Sequence, residues 1–325
     1  MPRLPTVVGR RVFHRKEVYM KYIDLHTHTR HSDGTATVKE VLQAANKSGI
    51  SILSITDHNT VDAYAQLSKC RDAFSGRILC GVELATVHQN ELIEILGYGI
   101  DVDSMQPLIA ASYLSFREKQ IREATLDVKA LLRSGATLSD AFVKAMLDSP
   151  EQLFDPDHET CRPSLLRELQ RYPENASFFE SRAEFEQIDP NRFSRKYLFN
   201  AKSRIFSDQS SLYPSPTETV DMIHQCGGLA FLAHPYVYGA EFTARPEDWF
   251  SLGIDGVECL YGTFSTEEQQ ALVALCDRRK TYKSGGSDFH GLDMRPQNPI
   301  GLADGKAIPY TLIEPWLSSV EDKLI

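Results

Sequence analysis

Short β-rich runs that stop abruptly at histidine or a carboxylate recur along this chain. KYIDL runs into HTHTRHSDG, ISILSIT into DH, RILCGV into EL, LAFLA into HPY and TYKSGGS into DFHG. Helical segments separate several of them. Thr37 is placed to cap VKEVLQAANKSG, with Glu40 completing a capping box and Gly49 as the stop, and residues 60–74 carry a further helical pattern. ELIEILGYG reads as a fourth strand after RILCGVEL. Strands alternating with helices, with polar residues gathered at the strand ends, predict parallel βαβ units and an α/β fold.

The alternation is interrupted once. From about Met105 to Asn200 the pattern becomes long polar helices (SYLSFREKQIREATLDVKALLRSG, SDAFVKAML, PSLLRELQRY), which predicts a helical insertion domain over 105–200. A capped helix in PSPTETVDMIHQCGG then leads back into LAFLAHPY, IDGVECLYG, a helix from Thr266 to Arg279, and TYKSGGSDFHG. The β/α unit is therefore discontinuous, 21–104 with 201–325, behind an N-terminal extension 1–20. Neither that extension nor the C-terminal tail carries a clear pattern.

Composition narrows the function classes. A net charge of -9 argues against a binder of long nucleic acid, which would present a basic surface. No apolar run approaches the length of a membrane span and no leader-type segment opens the chain, so the expectation is a cytoplasmic protein that does not engage membranes. The six cysteines form no C-x-x-C pair and several sit in apolar stretches, which points to buried reduced thiols.

What the strand ends carry is one kind of chemistry: His26 and His28 with Asp33, Asp57 beside His58, Glu83, His234, and Asp288 with His290. In H-T-H and D-F-H the side chains are two apart, so an extended backbone projects both to one side. A lone H-x-H or Asp-Gly is an ordinary turn or capped pair. The whole set at strand ends, with none in the helical insertion, predicts a metal centre. Imidazole and carboxylate ligands suit Zn, Mn or Fe. Asp57 either orients the His58 ring or caps the segment NTVDAY; His31 and His88 read as bystanders, and Tyr236 and Tyr238 as aromatics that could stack on a ring.

The pieces DLHTHTRHSDGT, SITDHNT, CGVEL, LAHPY and SGGSDFHG, in this order, resemble the polymerase and histidinol phosphatase (PHP) phosphoesterases. The resemblance implies a distorted seven-stranded β/α barrel holding two or three divalent metal ions, and the insertion resembles that of stand-alone small-molecule or oligonucleotide phosphatases. Carried over by motif, His26, His28, Glu83 and Asp288 would surround one metal, Asp33, His58 and His290 another, and Glu83 with His234 a further ion. Where relatives often have histidine eleven residues after the glutamate, this chain has Glu94; where they read Arg-Pro-His, it reads Arg162-Pro163-Ser164.

On that resemblance, ions held by this set would lower the pKa of a bound water so that hydroxide attacks a phosphate in line, with the leaving-group acid unassigned. Arg162, Arg195 and Lys196 are the candidates to complete the phosphate pocket. The expected substrate is a small phosphomonoester, a nucleotide or histidinol phosphate. The alternatives are a 5′-to-3′ exonuclease on short RNA or DNA and a non-catalytic binding module, which would need an eroded ligand set that this chain does not have.

Overall fold

The structure is a computed structural model that describes residues 21–155 and 160–325; the extension 1–20 lies outside the described residues. The first half runs β1 (Tyr22–Asp24), α1 (Val38–Lys47), β2 (Ile50–Leu53), α2 (Tyr64–Cys70), β3 (Arg77–Ile78), β4 (Gly81–His88) and β5 (Glu91–Tyr98). Helices α3 (Val102–Ser112), α4 (Phe116–Arg133), α5 (Asp140–Asp148), α6 (Arg162–Gln170), α7 (Arg182–Gln187) and α8 (Pro190–Phe193) follow, with a π-helical turn over Ser194–Leu198. The chain then returns through α9 (Pro216–Gln225), β6 (Leu229–Leu232), α10 (Ala240–Thr243), β7 (Gly256–Tyr261), α11 (Thr266–Arg279) and β8 (Tyr282–Gly286). A small ribbon of β9 (Leu302–Ala303) and β10 (Lys306–Ala307) precedes α12 (Glu314–Leu317).

The helix starts follow local chemistry. Thr37 and Glu40 form the capping box of α1, and Gly49 leaves it at φ 70°. Ser115 with Glu118, Ser215 with Glu218 and Ser265 with Glu268 do the same for α4, α9 and α11.

The sheet differs from the expected run of parallel βαβ units. β4 and β5 pair antiparallel with His88 opposite Glu91, so only Gln89 and Asn90 connect them, at φ 50° and 68°. Two residues with positive φ make a tight hairpin, and no crossover helix fits in a link that short. RILCGVEL also divides into two strands, which places Glu83 within β4 rather than at a strand end. β5 pairs antiparallel with β6, while β6–β7 and β7–β8 are parallel, giving a mixed five-stranded sheet beside the parallel β1–β2–β3 sheet.

These ladders do not form one continuous seven-stranded barrel. The sheets meet instead through single bridges, Thr27 with Phe289 and His58 with Glu83, and through the Leu25 N–H bond to the Gly285 carbonyl at 3.2 Å. Regular pairing stops where the backbone turns to aim side chains inward: φ is 51° at Asn59, 21° at His234 and 55° at Asp288.

Apolar packing separates the insertion helices from the sheets. Val128, Leu131, Leu165, Leu169, Phe193 and Leu198 belong to a core of their own, whereas Met105 and Ile109 of α3 pack into the core under β4–β7. The featureless C-terminal tail is also well packed. It places Trp316 against Tyr98 and Phe231, with ring centroids 5.8 and 5.1 Å away, which closes the core beneath β5 and β6. Among the described residues, no helix is long and apolar enough to cross a membrane.

Candidate metal centre

Five imidazoles and four carboxylates converge where the two sheets meet. His26 Nε2 and His28 Nε2, from the segment after β1, are 3.0 Å apart, and Asp288 Oδ1 lies 3.4 and 3.2 Å from them. Glu83 of β4 reaches across with both oxygens. Its Oε2 is 3.2, 3.3 and 3.1 Å from His26, His28 and His58, and its Oε1 is 3.1 Å from His234. Asp33 approaches His290 at 3.1 Å, His58 at 3.6 Å and His28 at 3.8 Å. Glu94 of β5 lies 3.2 Å from His58 and 3.4 Å from His234, in the place the resemblance gives to histidine. All nine residues fall into four donor groups, each with its ligand atoms within 4.8 Å of one another.

The groups overlap more than the resemblance implies. His28 stands with Asp33, His58 and His290 as well as with His26 and Asp288, and Glu83 belongs to two groups. Burial is graded: the His26, His28, Glu83 and His290 side chains are 0% exposed, against 45% for Asp33, 24% for His58 and 21% for Glu94. The open side of the centre therefore faces out past Asp33, His58 and Glu94.

The electrostatics fit cations. Burial opposes the charged form of these groups, yet the histidines hold Glu83 well below its usual range, as they do Asp33 and Asp288. Burial likewise opposes charge on His28, but the Asp288 and Glu83 carboxylates beside it lift it to about 10. Glu94 behaves differently, because burial and the adjacent Glu83 charge raise it. His28 Nδ1, His234 Nδ1, Asp288 Oδ1 and His290 Nε2 are buried without a hydrogen-bond partner. Native cores rarely leave such atoms unsatisfied. Orphaned donor atoms in an imidazole–carboxylate set suit divalent metal ions.

Several supports of the centre carry no sequence signal as ligands. Asp288 Oδ2 accepts from Tyr261 Oη at 2.7 Å and pairs with Arg295. Glu258 of β7 contacts His26 Nδ1. Asp24 braces the centre from behind, its oxygens accepting from the His26, Ser287 and Gly301 N–H groups at 3.2, 2.9 and 2.6 Å, and burial pushes its pKa up to about 6. Only an inward glutamate in apolar GVECLYG could have hinted at Glu258; Arg295 and Tyr261 depend on tertiary proximity. Asp57 neither orients His58 nor caps a helix. Its carboxylate accepts from Thr29 N–H and Oγ at 2.6 and 2.7 Å and from Ser32 Oγ at 2.7 Å, because parallel pairing of β1 and β2 sets it against the loop that carries Asp33.

A close backbone approach holds the first histidine in place. A Cβ on Gly286 would stand 2.2 Å from His26 Cβ and 2.4 Å from its N. Gly286→Ala is expected to cost about 1–3 kcal/mol in denaturant unfolding through overpacking, and to lower the amount of manganese retained after dialysis. Unaltered retention would show that His26 tolerates the shift.

The PHP domain profile matches residues 24–168. Residues 24–168 thus carry a PHP domain. The chain is 29% identical over 274 residues to the 3′,5′-nucleoside bisphosphate phosphatase of Chromobacterium violaceum, an alignment covering 83% of this chain and 88% of that one. It is 28% identical over 277 residues to the 5′-3′ exoribonuclease Rnm of Escherichia coli K12, covering 84% and 86%. Among solved structures it resembles an amidohydrolase from Chromobacterium violaceum with bound sulfate and no metal, at 26% identity and a TM-score of 0.61, covering 94% of this chain and 97% of that one.

The cationic residues expected around the PHP centre are differently employed. Lys196 binds Glu180 and Glu184, each at 2.6 Å, within the insertion, and Arg195 is exposed on the same turn. Sequence proximity to a family motif gave no information on which way that turn faces. Arg162 is paired with Glu123 at 2.5 Å and lies 4.7 Å over the Phe199 ring. Ser164, in the position of the family histidine, donates to the Leu153 carbonyl at 2.7 Å. Tyr236 packs against Trp249 and Phe264, and Tyr238 Oη accepts from Glu94 N–H at 2.8 Å, so both rings serve the scaffold. His88 faces Phe242, and His31 enters none of the donor groups.

Arg162 lines a cavity of about 330 Å³ between the β4–β5 hairpin and the insertion, with Leu92, Phe116, Lys119, Phe199 and Tyr213. Val87 pairs with Leu92, Ala85 with Glu94 and Glu83 with Leu96. Opposed residues share a face, so Glu83, Glu94 and Leu92 lie along one side of the hairpin. The hairpin face that carries Glu83 and Glu94 thus also carries Leu92 of the cavity lining.

Proposed function

We propose that this PHP-domain enzyme is a metal-dependent phosphoesterase that removes a phosphate monoester from a small molecule, and that a nucleotide suits it best. The observation that carries the reading is the convergence of nine imidazole and carboxylate groups with four orphaned buried ligand atoms among them. Two or three divalent ions at such a set would neutralise phosphate oxygens and acidify a water for attack. His26, His28, Glu83 and Asp288 would hold the inner position; Asp33, His58 and His290 the outer one; Glu94 and His234 would complete a further position with Glu83. Asp33 and His58, on the exposed side, leave room for the phosphate to enter. The bridges between the two sheets support reading the fold as a distorted barrel, with the separate insertion core as the lid.

The cavity argues for the nucleotide. Lys119 and Arg162 are offset by Glu123 and Asp208 in the same lining, so no net positive charge awaits a second phosphate. Phe116 and Leu92 remain 58% and 48% exposed there, and Lys119 sits 4.8 Å over the Tyr213 ring. Apolar and π surface of this kind stacks a base. Neighbouring same-face residues on a strand are about 7 Å apart, so one small molecule can place a base near Leu92 and a phosphate near Glu94. A second reading, 5′-to-3′ hydrolysis of short oligonucleotides, is favoured by the coverage of the exoribonuclease relative.

Protein purified without chelator is expected to carry at least one ion per chain, and with added manganese to release phosphate from nucleotides faster than from histidinol phosphate. Parallel assays on 5′-phosphorylated trinucleotides separate the two readings, since release of mononucleotides marks the exonuclease. A chain with less than one ion that hydrolyses none of these substrates is no phosphoesterase.

A further inference from the structure

β7 carries a carboxylate inside an otherwise apolar strand. Glu258 is 0% exposed, between buried Val257 and Cys259. A buried carboxylate is costly unless its surroundings compensate it, because desolvation removes several kcal/mol per ion. Among the described residues it has two hydrogen-bond partners. Oε1 lies 3.0 Å from His26 Nδ1, and Oε2 accepts the His234 backbone N–H at 2.9 Å.

Both partners belong to the PHP centre, entering from different strands. His26 turns its other nitrogen inward, 3.0 Å from His28 Nε2 and 3.2 Å from Glu83 Oε2. His234 follows β6 with φ 21°, a backbone conformation that a residue with a side chain adopts only when held. Glu258 itself enters none of the four donor groups.

The strand is built to aim it there. The register between β7 and β8 shifts between Glu258 and Leu260, so the ladder passes from Glu258–Ser284 to Leu260–Gly285 with Cys259 as the extra residue. Such a bulge re-aims side chains. Glu258 and Tyr261, three apart, consequently both face the centre, the second donating to Asp288 at 2.7 Å.

We propose that Glu258 is the positioning residue of the centre, a role that rests on reading the cluster as a metal site. One oxygen accepts from His26 Nδ1–H, which leaves the Nε2 lone pair directed at the donor group. The other pins the His234 backbone, so both rings are presented at fixed separation. A carboxylate behind a ligating imidazole also strengthens it as a donor.

Glu258→Gln and Glu258→Leu test this by calorimetric titration of chelator-stripped protein with manganese, alongside melting of the metal-free protein. Glutamine offers one acceptor where glutamate offers two, so either His26 or His234 loses its partner. The expected result is a manganese affinity about 10–100-fold below that of the parent, with cooperative melting of metal-free E258Q retained. E258L, which offers an acceptor to neither His26 nor His234, is expected to bind still more weakly. A parent that binds tightly while E258Q stays within twofold of it overturns the role of Glu258 alone. A parent that binds no manganese overturns the metal-centre reading and this proposal with it.

Discussion

Asp288→Asn is expected to lower phosphoester hydrolysis by at least about 100-fold, since changes to the outer partners of metal ligands already cost about 10–100-fold. Asp288 Oδ1 stands among three imidazoles, 3.4, 3.2 and 3.3 Å from His26, His28 and His290, and it is buried without a hydrogen-bond partner. Its other oxygen is held by Tyr261 and Arg295. The substitution withdraws the negative charge while keeping the shape. Asparagine is also the right probe for the backbone, because Asp288 sits at φ 55° and asparagine tolerates that region better than most residues. Circular dichroism and melting should therefore stay close to the parent while kcat/KM falls. Turnover equal to the parent, on correctly folded protein, would remove Asp288 from the chemistry.

Glu94→His has the second largest expected effect, and it acts on metal preference. Glu83 and Glu94 span the same two histidines: Glu83 lies 3.1 Å from both His58 and His234, and Glu94 3.2 and 3.4 Å from them. Burial raises the Glu94 pKa and the Glu83 charge adds to it, so the two carboxylates repel one another until a cation lies between them. A position with two carboxylates favours a harder ion such as manganese, whereas a third imidazole favours zinc. Equilibrating the variant with equal zinc and manganese should raise the zinc-to-manganese ratio on the order of tenfold, within the range that ligand-shell changes produce. Elemental analysis reads the result directly. An unaltered ratio would place Glu94 outside the centre.

The insertion illustrates where motif reading stops. Arg162, Arg195 and Lys196 were all candidates for one phosphate pocket, yet Lys196 is bound to Glu180 and Glu184, and Arg162 to Glu123. Arg162 and Lys196 each found an acidic partner on another helix, Glu123 of α4 and Glu184 of α7, and that choice depends on how helices pack. The hairpin was legible in principle: VHQNEL leaves two residues between β strands, too few for a crossover. Apolar periodicity alone is blind to strand direction, which is why the parallel expectation failed there.

What the sequence determined by itself was the donor set. Ligand chemistry depends on residue type, and two-residue spacing in an extended backbone is a local property, so HTH announces a pair of groups on one side without reference to anything distant, whereas DFH also depends on the turn at Asp288, φ 55°. Helix caps and stops are local for the same reason. Only the tertiary structure decided how the donors share their partners, which cations face the substrate side, and what holds the ligands from behind. Glu258, Tyr261 and Arg295 reach the centre through a bulge and through a loop that returns beside β1. Contacts of that kind join residues far apart in the chain, and their energy comes from burial and pairing that exist only once the sheets have met.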